Sequence, residues 1–143
     1  MKLTIQQALR LGITAHKEGK LQDAERLYRA ILQSQPGHPD ANHNLGVIAI
    51  SVNETAAALP LFRIALEANP KIGQFWLSYI EALIKEKQFE NAKLLIEQAK
   101  TQGVTEKKLN ALETKLVTIK KQDNVVRLSP SPKQLNTLLE HFQ

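Results

Sequence analysis

Residues 41–70, ANHNLGVIAISVNETAAALPLFRIALEANP, decide the fold of this chain because their pattern recurs on both sides at one fixed interval of 34 residues. A period of this length predicts copies of one helical hairpin that lie side by side and bury their apolar faces against each other. The positions that coincide after each shift are Leu11 with Leu45, Gly12 with Gly46, Ala24 with Ala58 and Ala92, Leu27 with Leu61 and Leu95, and Tyr28 with Phe62.

The recurring unit resembles the tetratricopeptide repeat, a helix-turn-helix with a Leu-Gly pair, a fixed Ala, an aromatic residue four positions later and a closing Pro. Three units fit the sequence, at 5–38, 39–72 and 73–106. The resemblance implies an all-α fold, a right-handed α-α superhelix of three helix pairs. It also implies a concave groove formed mainly by the first helix of each pair.

Small and turn-forming residues punctuate these units. Gly12 and Ala24 predict that the two helices of the first unit approach closely, so a bulky side chain at either position is expected to destabilise the pair. Gly19 supplies the positive φ that ends the first helix, and Asn53 stands in its place in the second unit. Pro60 falls inside a predicted helix and indicates a kink or a late helix start there.

The 34-residue register fails after residue 106. Residues 106–121 are predicted to form an amphipathic helix that caps the last pair and closes a domain over 1–121. Its apolar positions are Leu109, Leu112, Leu116 and Ile119.

Two further segments follow the predicted capping helix. Residues 122–131 form a polar linker that contains proline, and 132–143 are predicted to form another amphipathic helix. This helix is either the start of a fourth repeat in a longer protein or a surface through which copies of the chain associate. Its apolar positions are Leu135, Leu138, Leu139 and Phe142.

Composition bounds the chemistry. The 143 residues suit one domain, and 43% hydrophobic with 23% charged residues is typical of a globular protein. The chain has no cysteine, which excludes a disulfide framework, a thiolate metal site and a cysteine nucleophile. No apolar run approaches the ~20 residues of a membrane span, and a cytoplasmic location is expected.

Motifs for catalysis or cofactor binding are missing from the sequence. Phosphate-binding glycine loops and HExxH are absent, and the four histidines have no second ligand at metal spacing. The net charge of +5 is spread over every predicted helix, so a nucleic-acid partner is not favoured. We therefore predict no enzyme activity, no cofactor and no metal.

The resemblance places the binding surface on the inward-facing side of the first helix of each unit. Ile50 and Ile84 have the alternative of packing between adjacent units, while Glu81 and Lys85 are spaced to pair with each other. Three or four aliphatic side chains are enough for a micromolar peptide complex. The groove candidates are Leu9, Ile13, His16 and Lys17, then His43, Asn44, Val47, Ile50 and Ser51, then Leu77, Glu81, Ile84 and Lys85.

The predicted function is binding of a peptide or a partner helix in this groove, in a scaffold or assembly role. The alternative is a substrate-recruiting arm of a larger enzyme, because residues 23–50 resemble the N-terminal repeats of bacterial multi-repeat proteins that carry a glycosyltransferase or sulfotransferase domain. Asn44 resembles the asparagine that recurs inside O-linked N-acetylglucosamine transferases, although Arg10 and Ser78 break that ladder. Of the carboxylate clamp of chaperone-binding members, only Asn44 is matched.

Overall fold

The computed structural model describes residues 2–128, with side chains through Gln122, and this part of the chain forms seven α-helices and no strand. The predicted all-α fold is confirmed, and helices one to six form the three expected pairs. The helices are α1 (Ile5–Lys17), α2 (Leu21–Ser34), α3 (Pro39–Ser51), α4 (Thr55–Ala68), α5 (Gly73–Lys85), α6 (Phe89–Thr101) and α7 (Glu106–Leu128).

The turn inside each pair has one left-handed residue at the same register position. The φ angles are 78° at Gly19, 63° at Asn53 and 60° at Lys87. Glycine and asparagine adopt this conformation readily, whereas lysine pays roughly 1–2 kcal/mol for the clash of its Cβ with the following carbonyl. The third pair therefore keeps the turn geometry without the residue type that favours it.

Helix starts follow local capping rules. The Thr4 hydroxyl accepts from the Gln7 N–H at 3.1 Å, and the Gln7 side chain accepts from the Thr4 N–H at 2.9 Å, so α1 begins with a capping box. By contrast, α4 begins at Thr55 and continues through Pro60. The late start considered for Pro60 is wrong, because an exposed proline this near the start of a helix removes only one hydrogen bond of the second turn.

Each of the first two pairs is built around a glycine and an aromatic ring. A Cβ on Gly12 would lie 2.6 Å from Cε1 of Tyr28, and a Cβ on Gly46 would lie 2.5 Å from Cε1 of Phe62. Both rings are fully buried. Gly12 is thus small because a ring covers it, and the predicted partner, Ala24, is not among its nearest neighbours.

The third pair solves the same packing problem differently. Ile80 stands at the position of the glycine and Ile96 at the position of the ring, and each has at most 1% of its surface exposed. Two medium side chains replace one absent and one large side chain, which keeps the filled volume similar.

Successive pairs are joined by a recurrent hydrogen bond. The Asn42 amide donates to the carbonyl of Pro36 at 3.0 Å, and the Trp76 indole N–H donates to the carbonyl of Pro70 at 2.7 Å. The two donors are one repeat apart, as are the two prolines. Different side chains therefore donate to the equivalent proline carbonyl at both junctions.

The odd-numbered helices form the inner layer of a curved stack. Helix α1 contacts α3, α3 contacts α5 and α5 contacts α7, whereas α2, α4 and α6 do not contact one another in the described part of the chain. Helices that touch lie on the inside of the curve, and helices that diverge lie on the outside. Within residues 2–128 no helix has the length and apolarity that a membrane span needs.

Helix α7 packs on the last pair. Leu109 and Leu116 are buried in the core shared with α5 and α6, and Lys120 reaches Glu90 at 3.3 Å. The helix continues to Leu128, so residues 122–128 are helical and not part of a linker as predicted. The physical reason is that polar residues such as those of 122–128 are compatible with a helix, whereas the nearest proline in the sequence is Pro130. The predicted helix 132–143 lies outside the described residues.

Candidate inner groove

The inner surface consists of rows that run across the parallel helices α1, α3 and α5. Each row contains one residue from each repeat at the same register position, so a ligand that lies across the helices contacts one row at a time. The four rows are Leu9, His43 and Leu77; Ile13, Val47 and Glu81; His16, Ile50 and Ile84; and Lys17, Ser51 and Lys85.

Aliphatic side chains form the middle of this surface. Leu9, Val47, Ile50 and Leu77 are half-buried and contact the core along one side, and Ile13 is half-buried as well. Their remaining surface faces solvent from the inner layer. The structure therefore brings together the apolar groove candidates that span the first two repeats and the start of the third.

Two candidates in the third repeat are covered or engaged by α7. Ile84 is only 3% exposed and belongs to the core that α5 shares with α4, α6 and α7, so it packs in the core, the alternative stated for it, and is not a ligand contact. Glu81 lies 3.9 Å from Lys115 of α7, and no Glu81–Lys85 ion pair forms among the described side chains. An added helix beside α5, which the repeat pattern does not contain, explains both corrections.

His43 is a joint between the second and third pairs and not a free groove side chain. It is 9% exposed, its Nε2 lies 2.8 Å from the Ser78 hydroxyl, and its Nδ1 lies 3.3 Å from the Asn44 Oδ1. Its ring packs against Phe62 and Phe75, with centroids 5.4 and 4.8 Å away. The sequence places His43 in the groove row correctly but gives no sign of these partners.

The hydrogen-bond partners determine the His43 tautomer. The Asn44 Oδ1 can only accept, so Nδ1 carries the proton and Nε2 accepts from the Ser78 hydroxyl. Ser78 in turn accepts from the Gln74 amide at 3.1 Å. Burial lowers the pKa of His43, while the Asn44 hydrogen bond and the Asp40 carboxylate partly oppose the shift. The imidazole is consequently neutral at pH 7.

Asn44 extends this polar chain towards the first repeat. The Tyr28 hydroxyl is buried and has no hydrogen-bond partner at bonding geometry among the described residues. Burial raises the pKa of Tyr28, and the nearby Asn44 amide opposes that rise. A half-buried amide between a histidine and an orphan hydroxyl is the main polar feature of the groove floor.

One edge of the inner surface is basic. Lys17 and Lys85 are exposed and lie in the last turns of α1 and α5, where a helix end carries partial negative charge. They occupy the same row, with Ser51 between them, and half-buried His16 is one position away. The arrangement combines an apolar floor with a cationic margin. Within the described residues, no group of three or more His, Asp or Glu side chains could hold a metal ion.

Sequence reasoning missed an outer cleft between α4 and α6. It encloses about 520 Å³, with Trp76 and Tyr79 of α5 among its lining residues and Leu94 and Arg63 beside them. Burial raises the pKa of Tyr79, with Arg63 opposing and Glu67 reinforcing the rise. The 34-residue spacing could have indicated this cleft, because the spacing applies to outward-facing positions as well as to core positions.

Three helix pairs in one register, closed by an extra helix and curved so that the odd-numbered helices lie inside, define a helical-repeat solenoid. The tetratricopeptide repeat family model matches residues 9–51 and 44–103, and the chain belongs to this family. No curated protein sequence matches the chain.

Solved structures with the same fold are similar in three dimensions at low sequence identity. A mutant of MamA superposes with a TM-score of 0.66 at 24% identity, over 77% of this chain and 64% of that one. The first repeat domain of Spaghetti (RPAP3), bound to an HSP90 peptide, has a TM-score of 0.73 at 16% identity, over 80% and 91% of the two chains. An O-GlcNAc transferase mutant of Thermobaculum terrenum has 0.63 at 21%, over 72% and 21%. These likenesses show the shared fold.

Proposed function

We propose that this protein binds an extended peptide or a partner helix in its inner groove and serves as a scaffold. The observation that carries the proposal is the set of half-buried aliphatic side chains on the inner layer, from Leu9 and Ile13 through Val47 to Leu77. Apolar side chains on a concave surface have a lower free energy when a ligand covers them than when water does.

The size of the gain can be bounded. Full burial of an aliphatic side chain is worth roughly 1.5–3 kcal/mol, and side chains already half-buried have about half of that left to gain. Four such residues and their ligand counterparts reach the roughly 8 kcal/mol of a micromolar complex once ordering costs are subtracted. The affinity we propose is therefore micromolar.

The basic margin selects the partner's chemistry and orientation. Lys17 and Lys85 stand on the same edge of the groove, so a partner with carboxylates along one side of an apolar segment would align them with that edge. The contribution of exposed lysines is mainly to association rate and falls as salt screens them.

Affinity capture from the native cell tests this proposal. Wild-type protein, Val47→Asp and Leu94→Asp are used as baits, and captured proteins are quantified by mass spectrometry. Leu94 is 61% exposed on the outer face and is the matched control. We expect Val47→Asp to lose the partner that wild type and Leu94→Asp retain, with all three equally helical. An unchanged partner set with Val47→Asp overturns groove binding.

A second use of the same groove is recruitment of protein substrates to a larger enzyme. The repeat style of residues 23–50 and the groove amide of Asn44 are what favour it. The same capture separates the two uses. A partner that is chemically modified when the full-length native protein is present supports recruitment, and a stably bound, unmodified partner supports a scaffold.

A further inference from the structure

The N-terminal end of the stack exposes a face that is covered in the other repeats. Helix α2 packs on α3, and α4 packs on α5, but no helix lies on the equivalent side of α1 among residues 2–128. An outer groove shows the difference. Its wall between α2 and α4 comprises Leu45, Ile48, Ala49, Val52, Glu54, Ala57, Pro60 and Leu61, opposite Glu25 and Arg29 of α2.

The equivalent surface one repeat earlier, on α1 and α2, has no helix opposite it among residues 2–128. The groove on α1 and α2 comprises Leu11, Thr14, Ala15, Glu18, Lys20, Asp23, Arg26 and Leu27, and each of these lies 34 residues before a member of the first set. Leu45 is 3% exposed and Leu11 is 49% exposed. The difference in exposure shows how much of this position a neighbouring helix covers in the second repeat.

Further apolar surface continues around the same end. Leu3 is 52% exposed, and it lines a cleft of about 680 Å³ together with Ile5, Ala8, Leu27 and Ile31. The end of the stack therefore offers a helix-sized apolar seat formed by α1 and α2. Repeat stacks need such end faces covered to remain soluble as single copies.

We propose that this end face binds the 132–143 segment of a second copy of the chain, so that copies associate head to tail. The sequence of that segment places Leu135, Leu138, Leu139 and Phe142 on one face of a predicted helix. Helix α2 packs an apolar face against α3, and no equivalent helix packs against α1 among residues 2–128. This proposal is independent of ligand binding in the inner groove.

The geometry requires a second copy. Helix α7 contacts only α5 and α6 in the described part of the chain, so it lies at the opposite end of the stack from α1. Three inner-layer steps of ~8–10 Å separate α1 from α7, whereas the few residues between Leu128 and residue 132 span at most ~14 Å. The segment cannot reach its own α1, and a contact between unlike surfaces leaves one seat and one segment free for further copies.

Sedimentation velocity on the full 143-residue chain tests the proposal. We expect concentration-dependent association of wild type, and a loss of about tenfold or more in affinity for Leu11→Glu and for the double variant Leu138→Asp/Leu139→Asp. The decisive measurement mixes the two. Leu11→Glu keeps its segment and the double variant keeps its seat, so the mixture should form a one-to-one pair that neither forms alone.

Each other outcome overturns the head-to-tail contact. A wild type that is monomeric at all concentrations shows that the seat is not used by a second copy. Association that survives Leu11→Glu shows that the segments pair with each other, and failure of the mixture shows that an intact seat does not bind an intact segment of another copy. Leu94→Glu is the control on the outer cleft, and loss of association there places the segment in that cleft. Circular dichroism and thermal melting of every variant establish that the fold is intact.

Discussion

Gly46→Ala tests the packing rule that holds each helix pair together. The added Cβ would lie 2.5 Å from Cε1, 2.8 Å from Cδ1 and 3.0 Å from Cζ of Phe62. Distances below 3.0 Å between such carbons do not persist, so either the ring or the backbone must move. Phe62 has no exposed surface and lies in a core cluster with Ala49, Ala58 and Ala82, and protein cores are packed with few voids.

Two opposing terms set the magnitude. Replacing a mid-helix glycine by alanine gains roughly 0.5–1 kcal/mol through helix propensity. Overpacking a filled core costs roughly 1–3 kcal/mol, and a contact with the buried face of a ring belongs at the upper end. We expect a net loss of about 1–2 kcal/mol in the free energy of unfolding, and a fall of roughly 3–6 °C in melting temperature for a domain of this size.

Urea denaturation followed by circular dichroism measures this, with Phe62→Ile as the partner change. The third pair holds Ile80 and Ile96 at the equivalent positions, so the smaller side chain should accept the new methyl group. The double variant Gly46→Ala/Phe62→Ile should be more stable than the two single losses predict, by at least about 1 kcal/mol. Gly37→Ala is the control, because nothing lies within 4 Å of its Cβ position. A Gly46→Ala protein as stable as wild type, or an additive double variant, would refute the reasoning.

Three further predictions concern single contacts. Burial depresses the pKa of His43 in the folded state. The contribution of His43 to stability is therefore full above the unfolded pKa near 6.5 and is lost as the pH falls towards the lower folded-state pKa. The urea midpoint should drop across this pH window, and His43→Gln should make the drop smaller. Lys87→Gly should raise the free energy of unfolding by about 1 kcal/mol because it relieves a φ of 60°, whereas Gly19→Ala should lower it by a similar amount. Trp76→Phe removes the donor to the part-buried carbonyl of Pro70 and should cost about 0.5–1.5 kcal/mol by urea denaturation.

Each of the three has an outcome that contradicts it. An unchanged pH slope in His43→Gln would assign the titration to other groups. A Lys87→Gly protein less stable than wild type would mean that the lysine side chain contributes more than its backbone strain costs. A neutral Trp76→Phe would show that water or another donor satisfies the carbonyl.

The period alone predicted the fold because each of its markers acts locally. A turn residue with positive φ, a closing proline and a small residue beneath a ring each need only their own hairpin, so the three predicted helix pairs all form, as α1–α2, α3–α4 and α5–α6. Lys87 shows that the register persists even where the residue type departs from the pattern. The end of α7 was missed because polar composition was taken as a linker, although polar residues such as these are compatible with a helix.

The groove was predicted less completely because it depends on contacts between repeats. The row positions came from the register, but the fate of each side chain came from its neighbours. Ile84 and Glu81 are engaged by α7, which has no counterpart in the repeat pattern. Leu11 is exposed because the end of a stack lacks the helix that covers Leu45. A repeat pattern therefore predicts the contacts within each unit, but it does not predict the contacts with a neighbouring helix.

The departures from the period are therefore where function should be sought. His43 shares a row with Leu9 and Leu77, yet it is the member that ties the second pair to the third through Ser78. That hydrogen bond joins α3, which carries Val47, to α5, which carries Leu77, and so helps to fix the spacing of the two helices. In the proposed groove, a ligand that contacts both apolar residues would meet a spacing that His43 helps to fix. Repacking of His43 should alter binding even though His43 itself offers little surface to a ligand.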